Sequence, residues 1–212
     1  LQVEPEKCYE LTDSCEIIGH LTAEAAEITG LPVGLPIVAS GTDKGCETIG
    51  VGALTPDIAS ISLGTQATVE ITTKKYVELY PFYPSFAAVA NDAYNPEVTI
   101  YHGFWMVDWY AREFLDQSDP QAIHEILEGY LETTRPGADG LIHQPYWGRE
   151  AFRPEARGTF MGFSEGHDKR HIYRAIIEGL GYALLEGLEL IERKTTVPIQ
   201  AVGLSGGGSR SD

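Results

Sequence analysis

The sequence predicts an α/β fold, in which strands alternate with helices along the chain. Short runs rich in β-branched residues recur between longer segments whose apolar residues follow helical spacing. Glycine or proline stands at many of the boundaries, where turns are expected. With 212 residues, of which 43% are hydrophobic, the chain is long enough for one or two domains with a buried core.

The first predicted helix covers residues 23–29, because Gly30 and Pro32 supply stop signals directly after it. A short strand at 37–42 follows and leads into Asp43 and a segment of small residues that fits a helix. A carboxylate in that position is either an ordinary helix cap or a base aimed at a substrate. The local sequence leaves both alternatives open.

Two β-rich runs, residues 58–63 and 67–72, are joined by the turn Gly64-Thr65-Gln66, a pattern typical of a β-hairpin. Such a turn presents consecutive amide groups and a threonine hydroxyl, which can hold phosphate oxygens without net positive charge. Most glycine turns bind nothing, so a plain hairpin and a phosphate-binding hairpin both fit.

The middle of the chain predicts one strand and two helices. A strand at 98–102 precedes an amphipathic helix at 104–115, whose aromatic side chains are expected to pack against the core. Gly103 before this helix would leave room for a ligand. A second helix has Pro120 in its first turn, and residues 140–147 contain another candidate strand.

The longest helix is predicted at 168–194, where large aliphatic side chains step down one face. A final strand follows and ends on the three glycines at 206–208. Glycines after a strand let the backbone approach a flat or phosphorylated ligand closely. A flexible linker explains them equally well.

The net charge of −16 argues against non-specific binding to nucleic acid or to an anionic membrane, since both need a positive field. The three cysteines, Cys8, Cys15 and Cys46, are too few and too unevenly spaced for a disulfide framework. They predict free thiols in a reducing compartment, and therefore a cytoplasmic location. The histidine spacing predicts no metal site.

The segment 158–178, GTFMGFSEGHDKRHIYRAIIE, resembles the C-terminal signature of the FGGY carbohydrate kinases. That signature is filled here by Phe160, Gly162, Phe163, His171, Ile172, Ala175, Ile176, Ile177 and Glu178. The blocks IVASGTD, SISLGT and VGLSGGGSRS also stand in the family's order. The resemblance covers essentially the whole chain, and within the family the chain is xylulose kinase-like.

The resemblance implies the actin-like ATPase architecture, in which ribonuclease H-like domains carry a mixed sheet flanked by helices. Residues 1–52 would be the tail of the N-terminal, sugar-side domain. Residues 53–212 would be most of the C-terminal, nucleotide-side domain. We therefore expect the chain to be a fragment that is inactive alone.

The same resemblance implies a set of site residues. Asp43 would be the general base that takes the proton of a sugar hydroxyl. ATP, with Mg²⁺, would be bound by Gly64, Thr65, Gly103, Asp108, Gly206, Gly207 and Ser211. One departure adjoins the base, because Lys44 stands where many relatives carry Asn or Gln.

The function that this resemblance implies is ATP-dependent phosphorylation of a sugar or polyol, with a pentulose such as xylulose as the expected class. A homodimer is one assembly open to such an enzyme. The alternative is a catalytically inert nucleotide-binding or assembly module on the same fold, because fold does not fix function. A plain ATPase is a third interpretation, and release of ADP without sugar would distinguish it.

Overall fold

The computed structural model describes residues 4–7, 10, 12–90, 92–148 and 153–210. The α-helices in this part of the chain are α1 (Ala23–Thr29), α2 (Asp43–Gly50), α3 (Trp105–Phe114), α4 (Pro120–Thr133) and α5 (Lys169–Thr195). Short 3-10 segments occur at Pro5–Lys7, Ala138–Gly140 and Gly207–Arg210. The predicted helices are therefore confirmed, with ends that shift by a residue or two.

The strands form one central sheet and three two-stranded sheets within the described residues. They are β1 (Ile17–His20), β2 (Pro36–Val38), β3 (Ile58–Leu63), β4 (Ala67–Ile71), β5 (Phe86–Ala87), β6 (Tyr94–Asn95), β7 (Glu97–Ile100), β8 (Ile142–Gln144), β9 (Thr159–Met161) and β10 (Ala201–Ser205). The central sheet has the order β10-β3-β4-β7, with β10 parallel to β3 and the other neighbours antiparallel. This mixed sheet with flanking helices confirms the α/β prediction.

The central sheet has one apolar face and one polar face, because side chains alternate along each strand. Ile61 lies opposite Val69 on the apolar face. On the polar face, Ser60 lies opposite Glu70, which in turn lies opposite Glu97. Different helices cover the two faces of the sheet. The candidate functional site lies at the end of β3, close to the helices of both faces.

Helix α5 covers the apolar face and forms the core with α3. Ile176 and Leu180 are buried there, and Gly187 lets α5 approach the sheet closely, since an added Cβ would lie 3.3 Å from Val98 Cγ1. Tyr110 of α3 is fully buried and donates its hydroxyl to the carbonyl of Lys169 at 2.6 Å. The core therefore anchors α3, whose first turn reaches the site.

Replacing Leu180 by Ala is expected to lower the free energy of unfolding by about 2–5 kcal/mol, because the buried side chain leaves a cavity. Leu180 is 1% exposed, whereas Leu185 on the same helix is 48% exposed. Leu185→Ala is therefore the matched control, with an expected loss below about 1 kcal/mol. Urea denaturation measures both, and equal losses would contradict the assignment of the core.

The connection between β2 and α2 differs from the prediction. The predicted strand end at residue 42 is wrong, because β2 ends at Val38. Thr42 instead caps α2, and its Oγ1 accepts the N–H of Gly45 at 3.1 Å. Gly41 lies against Val89, where an added Cβ would come within 2.0 Å of Cγ2. The chain therefore turns tightly into the helix.

The β1–β2 pair belongs to a separate sheet and shares no strand pairing with the central sheet in the described residues. The predicted domain boundary after residue 52 falls between α2 and β3, and it stays a prediction. Among the described helices, none is long and apolar enough to cross a membrane. Cys15 and Cys46 are free and exposed, and Cys8 lies outside the described residues.

Candidate active site

Asp43 is the first residue of α2, and its side chain is exposed. Its Oδ1 accepts the backbone N–H of Lys44 at 2.9 Å. The unpaired amides and the positive end of the helix dipole favour a carboxylate at this position. Because Thr42 provides the capping hydrogen bond, capping does not account for Asp43. The carboxylate is accessible to a molecule outside the helix.

The turn between β3 and β4 is held by the start of α3. The N–H of Phe104 donates to the carbonyl of Gly64 at 2.9 Å. Gly103 lies against β4, where an added Cβ would be 2.4 Å from the nitrogen of Ala67. Close packing of α3 on β4 accounts for a glycine here, and the prediction that Gly103 leaves room for a ligand stays a prediction.

The glycine turn after β10 lies directly beside the end of β3. Gly206 has φ +85°, and an added Cβ would come within 2.8 Å of the carbonyl carbon of Leu63. Gly207 differs, because no atom lies within 4 Å of an added Cβ. Since β3 and β10 are parallel, their following turns meet at one edge of the sheet, where ligands of open α/β sheets bind.

A cavity of about 520 Å³ lies between these two turns, α3 and α4. Its volume falls within the usual range for small-molecule sites. Four of the residues predicted from the sequence line it, namely Gly64, Thr65, Asp108 and Gly207. The structure therefore brings together three sequence motifs that are far apart along the chain.

The other predicted residues that the structure describes lie around the cavity rather than in its lining. Gly103 and Gly206 allow the close contacts that shape its walls. Asp43 stands on the neighbouring helix, which reaches the end of β3 through a 2.8 Å hydrogen bond from Lys44 Nζ to Ser62 Oγ. Ser211 lies outside the described residues.

The sequence prediction missed the contribution of α4 and part of α3. Phe104, the N-cap residue of α3, and Asp108 are four residues apart and both line the cavity, as do His124 and Glu128 on α4. Side chains at this spacing share one helix face, so the pattern was present in the sequence. Which face meets the cavity depends on the packing of the helices.

Arg210 is the one lysine or arginine among the described residues that line the cavity. It is the second residue after the glycines, and the same lining also carries Asp108 and Glu128. A phosphate in this cavity would therefore depend mainly on backbone amides, with one guanidinium to balance its charge.

The signature segment positions α5 and, through it, one wall of the cavity. Asp168 caps the helix, and its hydrogen bonds with Arg170 hold the pKa of its carboxyl well below the usual range. His171 Nδ1 accepts the N–H of Asp168 at 3.2 Å and completes the capping box. One turn of helix brings Tyr173 to the cavity. The signature segment therefore mainly stabilises the start of α5, and Tyr173 is its residue that lines the cavity.

Helix α2 covers the polar face of the central sheet. Thr48 donates its hydroxyl to Glu70 Oε1 at 2.6 Å. Glu70 is 2% exposed, and burial raises its pKa to about 7 despite this hydrogen bond. Burial also raises the pKa of Glu97, its neighbour across the sheet. A carboxylic acid that keeps its proton avoids the cost of a buried charge.

Replacing Glu70 by Gln is expected to remove a pH dependence of stability. The folded protein holds this proton up to about pH 7, whereas the unfolded chain releases it near 4.5. The free energy of unfolding of the wild type should therefore fall between these two values, on the order of 1–3 kcal/mol, and then stay level. Glu70→Gln should lose most of that fall, because only the contribution of Glu97 remains, and exposed Glu132→Gln should keep it. Urea unfolding at pH 5 to 8 measures the free energy of unfolding. Parallel plots of that free energy against pH for wild type and Glu70→Gln would contradict the role assigned to Glu70.

Comparison with known proteins shows which family has these features. Residues 59–212 match the model of the FGGY family of carbohydrate kinases, C-terminal domain. The uncharacterized sugar kinase YgcE of Escherichia coli K12 is 29% identical over 204 residues, which is 92% of this chain and 41% of that protein. The xylulose kinase of Bacillus subtilis 168 is 29% identical over 216 residues, which is 99% of this chain and 42% of that enzyme. The chain thus spans about two fifths of the length of these relatives.

The same architecture occurs in solved structures. The crystal structure of xylulose kinase from Rhodospirillum rubrum matches with a TM-score of 0.79 and 26% identity, over 94% of this chain and 40% of that one. The ribonuclease H-like, actin-like ATPase fold implied by the sequence resemblance is confirmed. Because the family model matches most of the sequence, the central sheet and the cavity included, this chain belongs to the FGGY family of carbohydrate kinases.

Proposed function

We propose that the protein that carries this chain transfers the γ-phosphoryl group of ATP to a hydroxyl of a sugar or polyol. The observation that carries the proposal is the cavity between the two glycine turns, at the sheet edge beside the exposed carboxylate of Asp43. A kinase needs a phosphate-binding site and a base for the acceptor hydroxyl. Membership of the carbohydrate kinase family supports the same choice.

The lining of the cavity suits a nucleotide. Amide groups of the two turns can donate to phosphate oxygens, and the side chain of Arg210 adds one positive charge. The rings of Phe104 and Tyr173 offer apolar surface for a base. The carboxylates of Asp108 and Glu128 can accept hydrogen bonds from ribose hydroxyls. These roles extend the site residues that the sequence resemblance implied.

Mg²⁺ would enter this site with ATP rather than occupy a cage made by this chain. Within the described ranges, no three His, Cys, Asp or Glu side chains lie together so that they could hold a metal ion. Mg²⁺ usually binds through substrate phosphates, water and one or two carboxylates. When bound, it neutralises negative charge on the phosphates. The chain's own contribution is to hold the nucleotide and the base.

The proposed chemistry assigns one proton transfer to Asp43. Its carboxylate accepts the proton of the sugar hydroxyl while the hydroxyl oxygen forms a bond to the γ-phosphorus. The bond from that phosphorus to the bridging oxygen breaks, and ADP leaves with the electron pair. The helix terminus that holds Asp43 fixes the carboxylate without burying it.

We propose a pentulose such as xylulose as the acceptor. Support comes from the printed names of similar proteins, since xylulose kinases align with nearly the whole chain. This chain spans 42% of the length of the Bacillus subtilis enzyme, so the choice of acceptor is a property to test in the intact protein. The cytoplasmic location and the homodimer stay predictions.

The test is ADP release by the intact protein that carries this chain. The assay supplies Mg²⁺-ATP with xylulose, ribulose, gluconate or glycerol, and a control without sugar. We expect one acceptor to stimulate ADP release and to yield its phosphate ester by mass spectrometry. Equal ADP release without any acceptor would indicate an ATPase. Nucleotide binding with no turnover on any acceptor would indicate an inert module.

A further inference from the structure

Helix α2 is fastened to the central sheet by a cluster of polar side chains at its first turn. Lys44 Nζ donates to Glu47 Oε1 at 3.0 Å and to Ser62 Oγ at 2.8 Å. Ser205 Oγ donates to Glu47 Oε2 at 2.7 Å. We call these four residues, Lys44, Glu47, Ser62 and Ser205, the clasp.

The clasp joins three segments that each lead to the candidate site. Ser62 and Ser205 are register partners on the parallel strands β3 and β10. The turn with Gly64 follows Ser62, and the turn with Gly207 follows Ser205. On the helix side, Lys44 directly follows Asp43. The clasp thus connects both glycine turns to the helix end that carries the proposed base.

The clasp differs from an ordinary surface ion pair. The side chains of Lys44 and Glu47 are only 23% and 28% exposed, and each also bonds to a strand far away in sequence. Burial opposes ionisation of Glu47, but hydrogen bonds from Ser62, Ser205 and Lys44 together lower its pKa. Exposed ion pairs contribute little because solvent competes for both partners. Here the serines fix the geometry of the pair.

A purely structural role for the clasp predicts a specific result. If Lys44 only fills the polar layer between α2 and the sheet, then its loss lowers stability without changing the chemistry of the folded enzyme. If the clasp also holds Asp43 in position relative to the glycine turns, then its loss lowers the reaction rate of the folded enzyme as well. A small displacement of the helix would move Asp43 relative to the turns, and a misplacement of about 1 Å can cost about a hundredfold in rate.

We propose that the clasp sets the position of Asp43 relative to nucleotide bound at the two turns, with Lys44 as a positioning residue. This inference rests on the proposed function. Nucleotide bound at the two glycine turns would hold the ends of β3 and β10 in place. The hydrogen bonds of the clasp would then hold the first turn of α2 in place as well. The acceptor hydroxyl and the γ-phosphoryl group would then meet a carboxylate that is already in place.

The kinetic test compares Lys44→Met, Glu47→Gln and Lys44→Arg in the intact protein. We expect Lys44→Met and Glu47→Gln to lower kcat about tenfold to hundredfold, with KM for ATP within about twofold of wild type. Lys44→Arg keeps the charge and donors and should recover much of the lost rate. Lys194→Met on the exposed end of α5 is the matched control and should change neither constant. Lys44→Met with a folded structure and wild-type kcat would overturn the proposal.

A second readout needs no turnover. Hydrogen exchange of the α2 amides, residues 43–50, is measured with and without ADP. We expect ADP to slow exchange in the wild type and in Lys194→Met, and to have no effect on α2 in Lys44→Met. If the wild type phosphorylates no acceptor yet shows this coupling, the proposed function fails and the clasp stands. If ADP leaves α2 exchange unchanged in an active wild type, the clasp fails and the function stands.

Discussion

Replacing Asp43 by Asn in the intact protein is expected to lower kcat for sugar phosphorylation by about 10²- to 10⁴-fold, the usual contribution of a general base. Asn keeps the size and polarity of the side chain but cannot accept the hydroxyl proton. Affinity for ADP should stay near wild type, because Asp43 does not line the cavity. Steady-state kinetics and ADP titration by calorimetry measure the two effects separately.

The control for this substitution is Asp116→Asn, which changes an exposed aspartate that follows α3 and does not line the cavity. It should retain the wild-type rate. An Asp43→Asn enzyme that keeps more than about half of the wild-type kcat would rule out a general base at this position.

Replacing Gly207 by Val is expected to weaken ADP binding by about a hundredfold or more, because the new side chain would obstruct the cavity and disturb the amides that face it. Gly207 has open space at its Cβ position, so this substitution should leave the fold intact. Calorimetric titration with ADP measures the loss, and thermal unfolding without ligand should give a melting temperature near that of wild type.

The neighbouring glycine provides the contrast. Gly206 has a left-handed backbone, and a Cβ there would collide with the end of β3. Gly206→Val should therefore lower the free energy of unfolding by about 1–3 kcal/mol or more. If Gly207→Val binds ADP as tightly as wild type, then the cavity between the turns is not the nucleotide site.

The central hairpin and the long helix could be predicted because their patterns are local. The β-rich runs on either side of Gly64 predict a hairpin, and the antiparallel pairing of β3 with β4 confirms it. The predicted helix at 168–194 corresponds to α5, which begins after the Asp168 cap. These features depend on neighbours along the chain, which the sequence shows directly.

The polar layer beneath α2 could not be predicted in the same way. Ser60 and Glu70 alternate with apolar residues, which is typical of a strand with one solvent-facing side. In the structure α2 covers that side, and both residues are buried. The clasp depends on the same packing, since Ser62 meets Lys44 and Ser205 meets Glu47 only when α2 packs on the paired strands β3 and β10.

The candidate site could be predicted only in part, because the sequence shows turns directly but does not show how the helices pack. Glycines mark turns wherever they occur, so Gly64 and Gly207 stood out in the sequence. Gly103 also stood out, but its missing Cβ serves helix packing against Ala67. The wall from α4 escaped prediction, because His124 lies on an amphipathic helix whose orientation follows only from the fold.

The most direct measurement is a crystal structure of the intact protein with bound ADP and an acceptor sugar. We expect ADP in the cavity between the turns at Gly64 and Gly207, with its phosphates directed toward the first turn of α2 and a sugar hydroxyl within hydrogen-bond reach of Asp43. Nucleotide bound elsewhere, or phosphates directed away from Asp43, would contradict the proposed kinase site.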